Sequence, residues 1–243
     1  DLRVRVRVSR REGEPLLRLA GEIHNDRPDH RLRLNARLAE PADGALAGSP
    51  FELVCRPLVS EGSELETPSS TWPARHVVQA GGIAAYHEGV VEYEVAGAEL
   101  ALTLLRCVGT ISRERLATRP FAAGPGVPTP EAQMIGTSTF AIGLRSSTDR
   151  LGLLRDWERF ALPVLEAPVT GSRIHEGSLI DIAGDAFLST IRRVGDGIQV
   201  RGWNPFDDRE VRWWVEGAEH DLGPARIHTV TVTRRPRQDA TPT

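Results

Sequence analysis

The chain has 243 residues, 40% of them apolar, and a formal net charge of -3. That suffices for one large core or two modest ones, and it lacks the concentrated positive charge that nucleic-acid binders carry. It holds no apolar run of about eighteen residues and no basic-then-apolar leader, so the sequence predicts no membrane span and no export signal, and a soluble, cytoplasmic protein is expected over a secreted one.

All thirty basic residues are Arg, a compositional bias that by itself marks no phosphate site. The chain opens at Asp1 inside a strand-like run and its only Met is Met134, as expected if further polypeptide precedes it; a trimmed or processed N-terminus looks the same. Cys55 and Cys107 both sit in apolar stretches, where buried free thiols are expected over a disulfide.

In chain order, Arg3 to Val8 alternates Arg and Val, which at a period of two predicts a half-buried strand. Leu16 to Ile23 forms a second run, followed by the turn-rich Asn25-Asp26-Arg27-Pro28-Asp29 and a third alternating run from Arg31 to Leu38. Further strands are predicted over Phe51–Pro57, Val90–Val95, Leu100–Val108, Ser138–Leu144, Phe187–Val194, Gly197–Trp203, Glu210–Glu216 and Arg226–Thr233. Leu100 to Leu105 is apolar on both faces and flanked by Gly97 and Gly109, which favours a central strand covered on each side over a buried helix. Only Leu151 to Phe160 has helical spacing.

Strands at this spacing, punctuated by Gly and Pro, predict an all-β protein of packed antiparallel sheets. The expected organisation is a large β-sandwich over 1–161, a linker over 162–177 rich in Pro and Gly, a smaller β-region over 178–233 and a disordered tail over 234–243.

Motifs for chemistry are few. His24-Asn25-Asp26 has a His-x-Asp form, but a turn in which short polar side chains cap their own backbone is the stronger reading than a metal site. The remaining histidines fall singly, and the sequence holds no nucleophile elbow, Walker loop or dinucleotide fingerprint. Glu88, Glu92 and Glu94 lie in or beside a strand, where solvent exposure is expected rather than acid catalysis. Trp213-Trp214 within a strand must place its rings on opposite faces, one buried and one free to meet solvent, ligand or a neighbouring domain. The most unusual stretch is the long loop from Arg113 through Arg119-Pro120 and Gly124-Pro125 to Thr129-Pro130-Glu131-Ala132-Gln133, of a kind that tends to be functional or to seal an interface.

Glu92-Tyr93-Glu94-Val95, the run from Leu100 to Gly109, Ile111-Ser112-Arg113, Arg119-Pro120, Ala123-Gly124-Pro125 and Thr129-Pro130-Glu131-Ala132-Gln133 together resemble the C-terminal region of family 38 glycoside hydrolases, the α-mannosidases and mannosylglycerate hydrolases. Asp29-His30-Arg31-Leu32-Arg33 and Asn204-Pro205 fit the same region in the same order. The resemblance implies a large galactose-mutarotase-like supersandwich followed by a smaller β-sandwich. It also implies that the aspartate nucleophile and the ligands of a divalent metal such as zinc belong to an N-terminal α/β domain and a helical segment. No catalytic or metal-binding residue is therefore expected in this chain, and its implied partners are those domains of the same polypeptide and, through the parent enzyme, carbohydrate.

If the chain lends groups to the rim of a sugar site, the candidates are Arg106, Arg119, Glu131 and Gln133; the structural alternative is that Arg106 and Glu131 pair with each other or brace the loop. Two other functions stay open: a free-standing carbohydrate-binding module using Trp213 or Trp214, and a mutarotase-like epimerase, which rests on fold analogy alone.

Overall fold

Strand β1 (Leu2–Arg10) pairs antiparallel with β2 (Leu17–Asn25) along its whole length, and β2 pairs on its other side with the eleven-residue β11 (Gly136–Ser146). Between them in sequence lie β3 (Arg31–Arg37), β4 (Gly44–Ser49), β5 (Glu52–Pro57), β6 (Thr71–Pro73), β7 (Val77–Ala80), β8 (Ile83–Glu88), β9 (Glu92–Ala96) and β10 (Glu99–Arg106). These are seen in a computed structural model that describes residues 1–90, 92–162, 178 and 180–233. The chain divides into two compact units, Asp1–Leu162 and Pro163–Thr243.

The first unit holds a seven-stranded sheet in the order β1-β2-β11-β8-β7-β4-β5 and a four-stranded sheet in the order β3-β10-β9-β6. Ile23, Ala85, Phe140 and Ile142 from the first meet Tyr93, Val95, Leu100, Leu102 and Leu105 from the second in one core. This is the stacked antiparallel arrangement that the alternating runs predict. As expected, β10 is central in its sheet and buried on both faces. A register shift between Thr103 and Leu105 turns Leu105 back toward the core that Leu100 and Leu102 also fill.

Strand β1 departs from expectation. Its register places Val4 opposite Ile23 and Val8 opposite Leu19, so the valines share the core-bearing face, yet all nine residues are exposed, Val8 at 59%. The facing sheet has four strands against seven and leaves this edge uncovered, so the strand is not half-buried. Cys55 also departs from expectation: it is a free thiol on the exposed side of β5, whereas Cys107 is free and buried.

Helix α1 (Arg150–Ala161) covers the other face of the large sheet, close to the span its spacing predicts. Asp149 caps it by accepting a hydrogen bond from the Gly152 amide at 2.6 Å. Leu153, Leu154 and Phe160 are buried, and buried Asp156 pairs with Arg145 of β11 and with Arg159. At the helix C-terminus the Arg18 guanidinium donates to the carbonyls of Arg159 and Phe160 at 2.7 and 3.0 Å, placing positive charge where the peptide dipoles favour it.

In the second unit, β12 (Ile182–Gly184), β15 (Val211–Val215) and β16 (Ala218–Leu222) form one three-stranded sheet. The other consists of β13 (Phe187–Val194), β14 (Gly197–Trp203) and β17 (Ile227–Thr233). Val200, Val211, Trp213, Val215 and Leu222 make its core. Gly202 admits the Trp213 ring, since a Cβ there would stand 2.8 Å from it. The strand pair 213–214 splits as alternation requires: Trp213 is buried and Trp214 part-exposed. Apart from Leu162, the linker expected at 162–177 and the tail expected at 234–243 lie outside the described residues. Among the described residues, no helix is long and apolar enough to cross a membrane.

Candidate functional site

The long loop leaves β10 at Cys107 and returns at β11, and its two ends are tied to each other. The Val108 amide donates to the Ala132 carbonyl at 3.1 Å, the Thr129 amide to Gly109 at 2.9 Å, and Thr110 bridges Pro128. Pro130–Gln133 forms a short 3-10 turn whose exit residue, Met134, adopts the left-handed conformation. These ties explain how a stretch so rich in Gly and Pro keeps a fixed path.

Beneath the loop, Asn25 is fully buried. Its side-chain amide donates to the carbonyls of Gln133 and Met134, both at 3.1 Å, while its oxygen accepts from the Arg27 amide at 2.9 Å. His24 and Asn25 thus end β2, and Asn25 caps the turn that follows, spending its oxygen and most of its amide on backbone. Among the described residues, no group of three His, Cys, Asp or Glu side chains converges in a way that could hold a metal ion.

Between the loop and the start of β3 lies a cleft of about 420 Å³ that includes Arg31, Arg106, Arg113 and Arg119, with Asp29 and Ser112. Two of the four rim candidates, Arg106 and Arg119, therefore line one cavity. Glu131 and Gln133 do not line it. Glu131 is exposed in the first turn of the 3-10 segment. Gln133 is engaged by Asp29: its oxygen accepts from the Asp29 amide at 2.8 Å and its nitrogen donates to the Asp29 carboxylate at 2.9 Å.

The expected alternative of an Arg106–Glu131 pair is not what forms. Arg106 lies 3.7 Å from Glu92, which also accepts from Arg31 at 3.2 Å and from the Thr103 hydroxyl at 2.7 Å. Register explains this: β9 and β10 pair as far as Tyr93 opposite Leu102, which leaves Glu92 at the end of β9 within reach of Thr103 and Arg106. Glu94, one pleat along, takes hydrogen bonds from Ser70 and Arg33, and the Ser70 bond leads in holding its carboxyl below the usual range. Both glutamates are thus part-buried structural anions, not solvated as their strand position suggested. Burial raises the Cys107 thiol above its ordinary range, and its sulfur faces Asn25 and His30.

Sequence reasoning singled out the loop but missed Arg31 and His30 as lining of the cleft; their place in a turn-to-strand junction carries no local signal of what packs against them. In the second unit Trp214 and Arg212 line a separate open depression of about 520 Å³ with Asp185 and Glu210.

No protein-family model matches the sequence, and no curated protein matches it. Solved structures share its fold, two of them as follows. One is a protein of glycosyl hydrolase family 38 from Enterococcus faecalis, at TM-score 0.70 and 22% identity, with 93% of this chain and 29% of that one covered. The other is an alpha-mannosidase from Enterococcus faecalis, at TM-score 0.71 and 23% identity, covering 93% of this chain and 28% of that one. The chain thus spans less than a third of either protein. Over 93% of its length its fold is similar to part of these proteins, in agreement with the resemblance carried by its motifs.

Proposed function

We propose that this chain is the non-catalytic β-region of a glycoside hydrolase of the α-mannosidase type, bracing and helping to shape a sugar site whose catalytic groups lie elsewhere in the polypeptide. One observation carries the reading: the match takes in 93% of this chain but only 28–29% of each neighbour, leaving most of the neighbours' length without a counterpart here. The polar groups that the chain does concentrate support it. Asn25, Gln133, Glu92 and Glu94 are spent on internal ties, as in a scaffold, whereas Arg106 and Arg119 reach a cleft bordered by the loop.

In that reading the loop forms part of the rim of the sugar site, with Arg106 and Arg119 donating to hydroxyls. Retaining hydrolysis of an α-mannoside by such an enzyme needs a carboxylate nucleophile and an acid/base partner, both expected outside this chain. The test is a longer polypeptide that joins this chain to its α/β and helical domains, assayed on an aryl α-mannoside with and without Arg119→Ala. A rim role predicts a raised KM or lowered kcat in a variant that remains folded. Unchanged kinetics in a folded variant remove Arg119 from the rim, and a longer polypeptide without α-mannosidase activity refutes the reading.

A second reading, a carbohydrate-binding module, draws on one feature, the part-exposed Trp214 ring over its open depression. Calorimetry with mannose and mannobiose separates the two: a scaffold gives no heat, whereas a module gives saturable binding that Trp214→Ala abolishes.

A further inference from the structure

The cleft under the long loop carries more positive charge than its own carboxylates satisfy. Arg31, Arg106, Arg113 and Arg119 line it against one acidic lining residue, Asp29. The ion pairs these arginines make are mostly loose. Arg119 stands 3.6 Å from Glu66, Arg106 3.7 Å from Glu92 and Arg113 3.5 Å from Asp29, distances at which a hydrogen bond is marginal or absent. Arg119 matters most, because its side chain is only 17% exposed and its Nε has no partner. A guanidinium so buried and so loosely paired is costly unless an anion completes it.

Neutral donors and acceptors around the same cleft are unsatisfied too. The Ser112 hydroxyl belongs to a residue 9% exposed and has no partner, and the Thr110 hydroxyl and His30 Nδ1 are likewise buried and unpartnered. Buried polar groups are nearly always paired, so these groups bring spare hydrogen-bonding capacity to the lining of the cleft beside the arginines. Arginines recognise planar oxyanions through forked donors, and hydroxyl and imidazole groups beside them suit ligand hydroxyls.

We propose that this cleft is an anion-binding pocket that holds the carboxylate or phosphate of a small hydroxylated ligand such as a charged sugar, with Arg113 and Arg119 on the oxyanion and Ser112 on a neighbouring oxygen. That the ligand is a sugar rests on the reading of the loop as the border of a sugar site; the preference for negative charge rests on the arginines alone.

The experiment is calorimetric titration of the 243-residue chain at low salt with glucuronate, glucose 6-phosphate, inorganic phosphate and neutral glucose. The proposal predicts saturable binding of glucuronate, glucose 6-phosphate or both, no detectable binding of glucose, and weakening by added salt. Which of the two charged sugars binds identifies the oxyanion. Arg113→Ala, at a side chain 57% exposed and therefore tolerant of change, is expected to weaken the affinity at least tenfold, and Ser112→Ala to weaken it less. Absence of binding by both charged sugars, or binding that Arg113→Ala leaves unchanged, overturns the proposal without touching the scaffold reading, which turnover tests. Inorganic phosphate bound as tightly as glucose 6-phosphate overturns the sugar part and sustains the anion site.

Discussion

The side-chain amide of Gln133 closes on Asp29 from both sides, accepting from its backbone N–H at 2.8 Å and donating to its carboxylate at 2.9 Å. These residues are 104 positions apart, and the clamp fixes the return of the long loop to the turn that precedes β3. Asp29 is held in the left-handed conformation there, and Gly109 leaves room beside the pair: a Cβ on it would stand 2.7 Å from the Gln133 nitrogen, so that side chain would have to shift.

Gln133→Ala removes both bonds and is expected to destabilise the chain by about 1–2 kcal/mol, the net contribution of two ordinary hydrogen bonds. Urea unfolding measures it: the midpoint should fall with little change in slope. A midpoint equal to the parent's shows that the clamp does not hold the loop.

Asn204 does in the second unit what Asn25 does in the first. It is 1% exposed, its amide donates to the carbonyls of Arg209, Leu222 and Gly223 at 2.7, 3.1 and 3.0 Å, and its oxygen accepts from the Phe206 amide at 2.9 Å. Asn204→Ala would strand buried backbone groups, and a loss of roughly 3 kcal/mol is expected from unsatisfied carbonyls. Thermal unfolding followed by circular dichroism checks it, and a change within experimental error refutes the assigned role.

His87 supplies a pH dependence of known sign. It is buried on β8 with both ring nitrogens unpartnered, and burial lowers it from the ordinary 6.5 to about 4. Between these values the unfolded chain binds a proton that the folded one refuses. Stability is therefore intact above about pH 6.5 and falls as the pH drops toward 4, by up to roughly 3 kcal/mol at 1.36 kcal/mol per pH unit. Burial lowers His76 also, which acts in the same sense. Denaturant midpoints across this range should fall more steeply for the parent than for His87→Leu; equal slopes contradict the assignment.

The strands that were legible in the sequence are those whose side chains report their own environment. Phe187–Val194 and Gly197–Trp203 appear with the bounds expected, because β-branched and aromatic residues recur in both and a Gly-containing turn separates them. Gly44–Ser49 and Ile83–Glu88 escaped notice, being short and rich in Ala or Gly, residues with little strand preference of their own, and Val77–Ala80 because four residues are too few to show a period. The exposure of the β1 valines was hidden for a different reason: alternation shows which side chains share a face, but burial is decided by the width of the opposing sheet. At the candidate site, composition singled out the loop, and Arg106 and Arg119 do meet in one cleft. The Gln133–Asp29 clamp and the Arg106–Glu92 pair join residues through tertiary packing and leave no mark on local spacing.

The central claim is that this polypeptide supports chemistry it does not perform. Hydrolysis of an aryl α-mannoside by the purified 243-residue chain, with zinc and other divalent metals supplied in turn, tests that most directly. No turnover above the uncatalysed rate is the expected result, and metal-dependent or metal-independent turnover by this chain alone would contradict it.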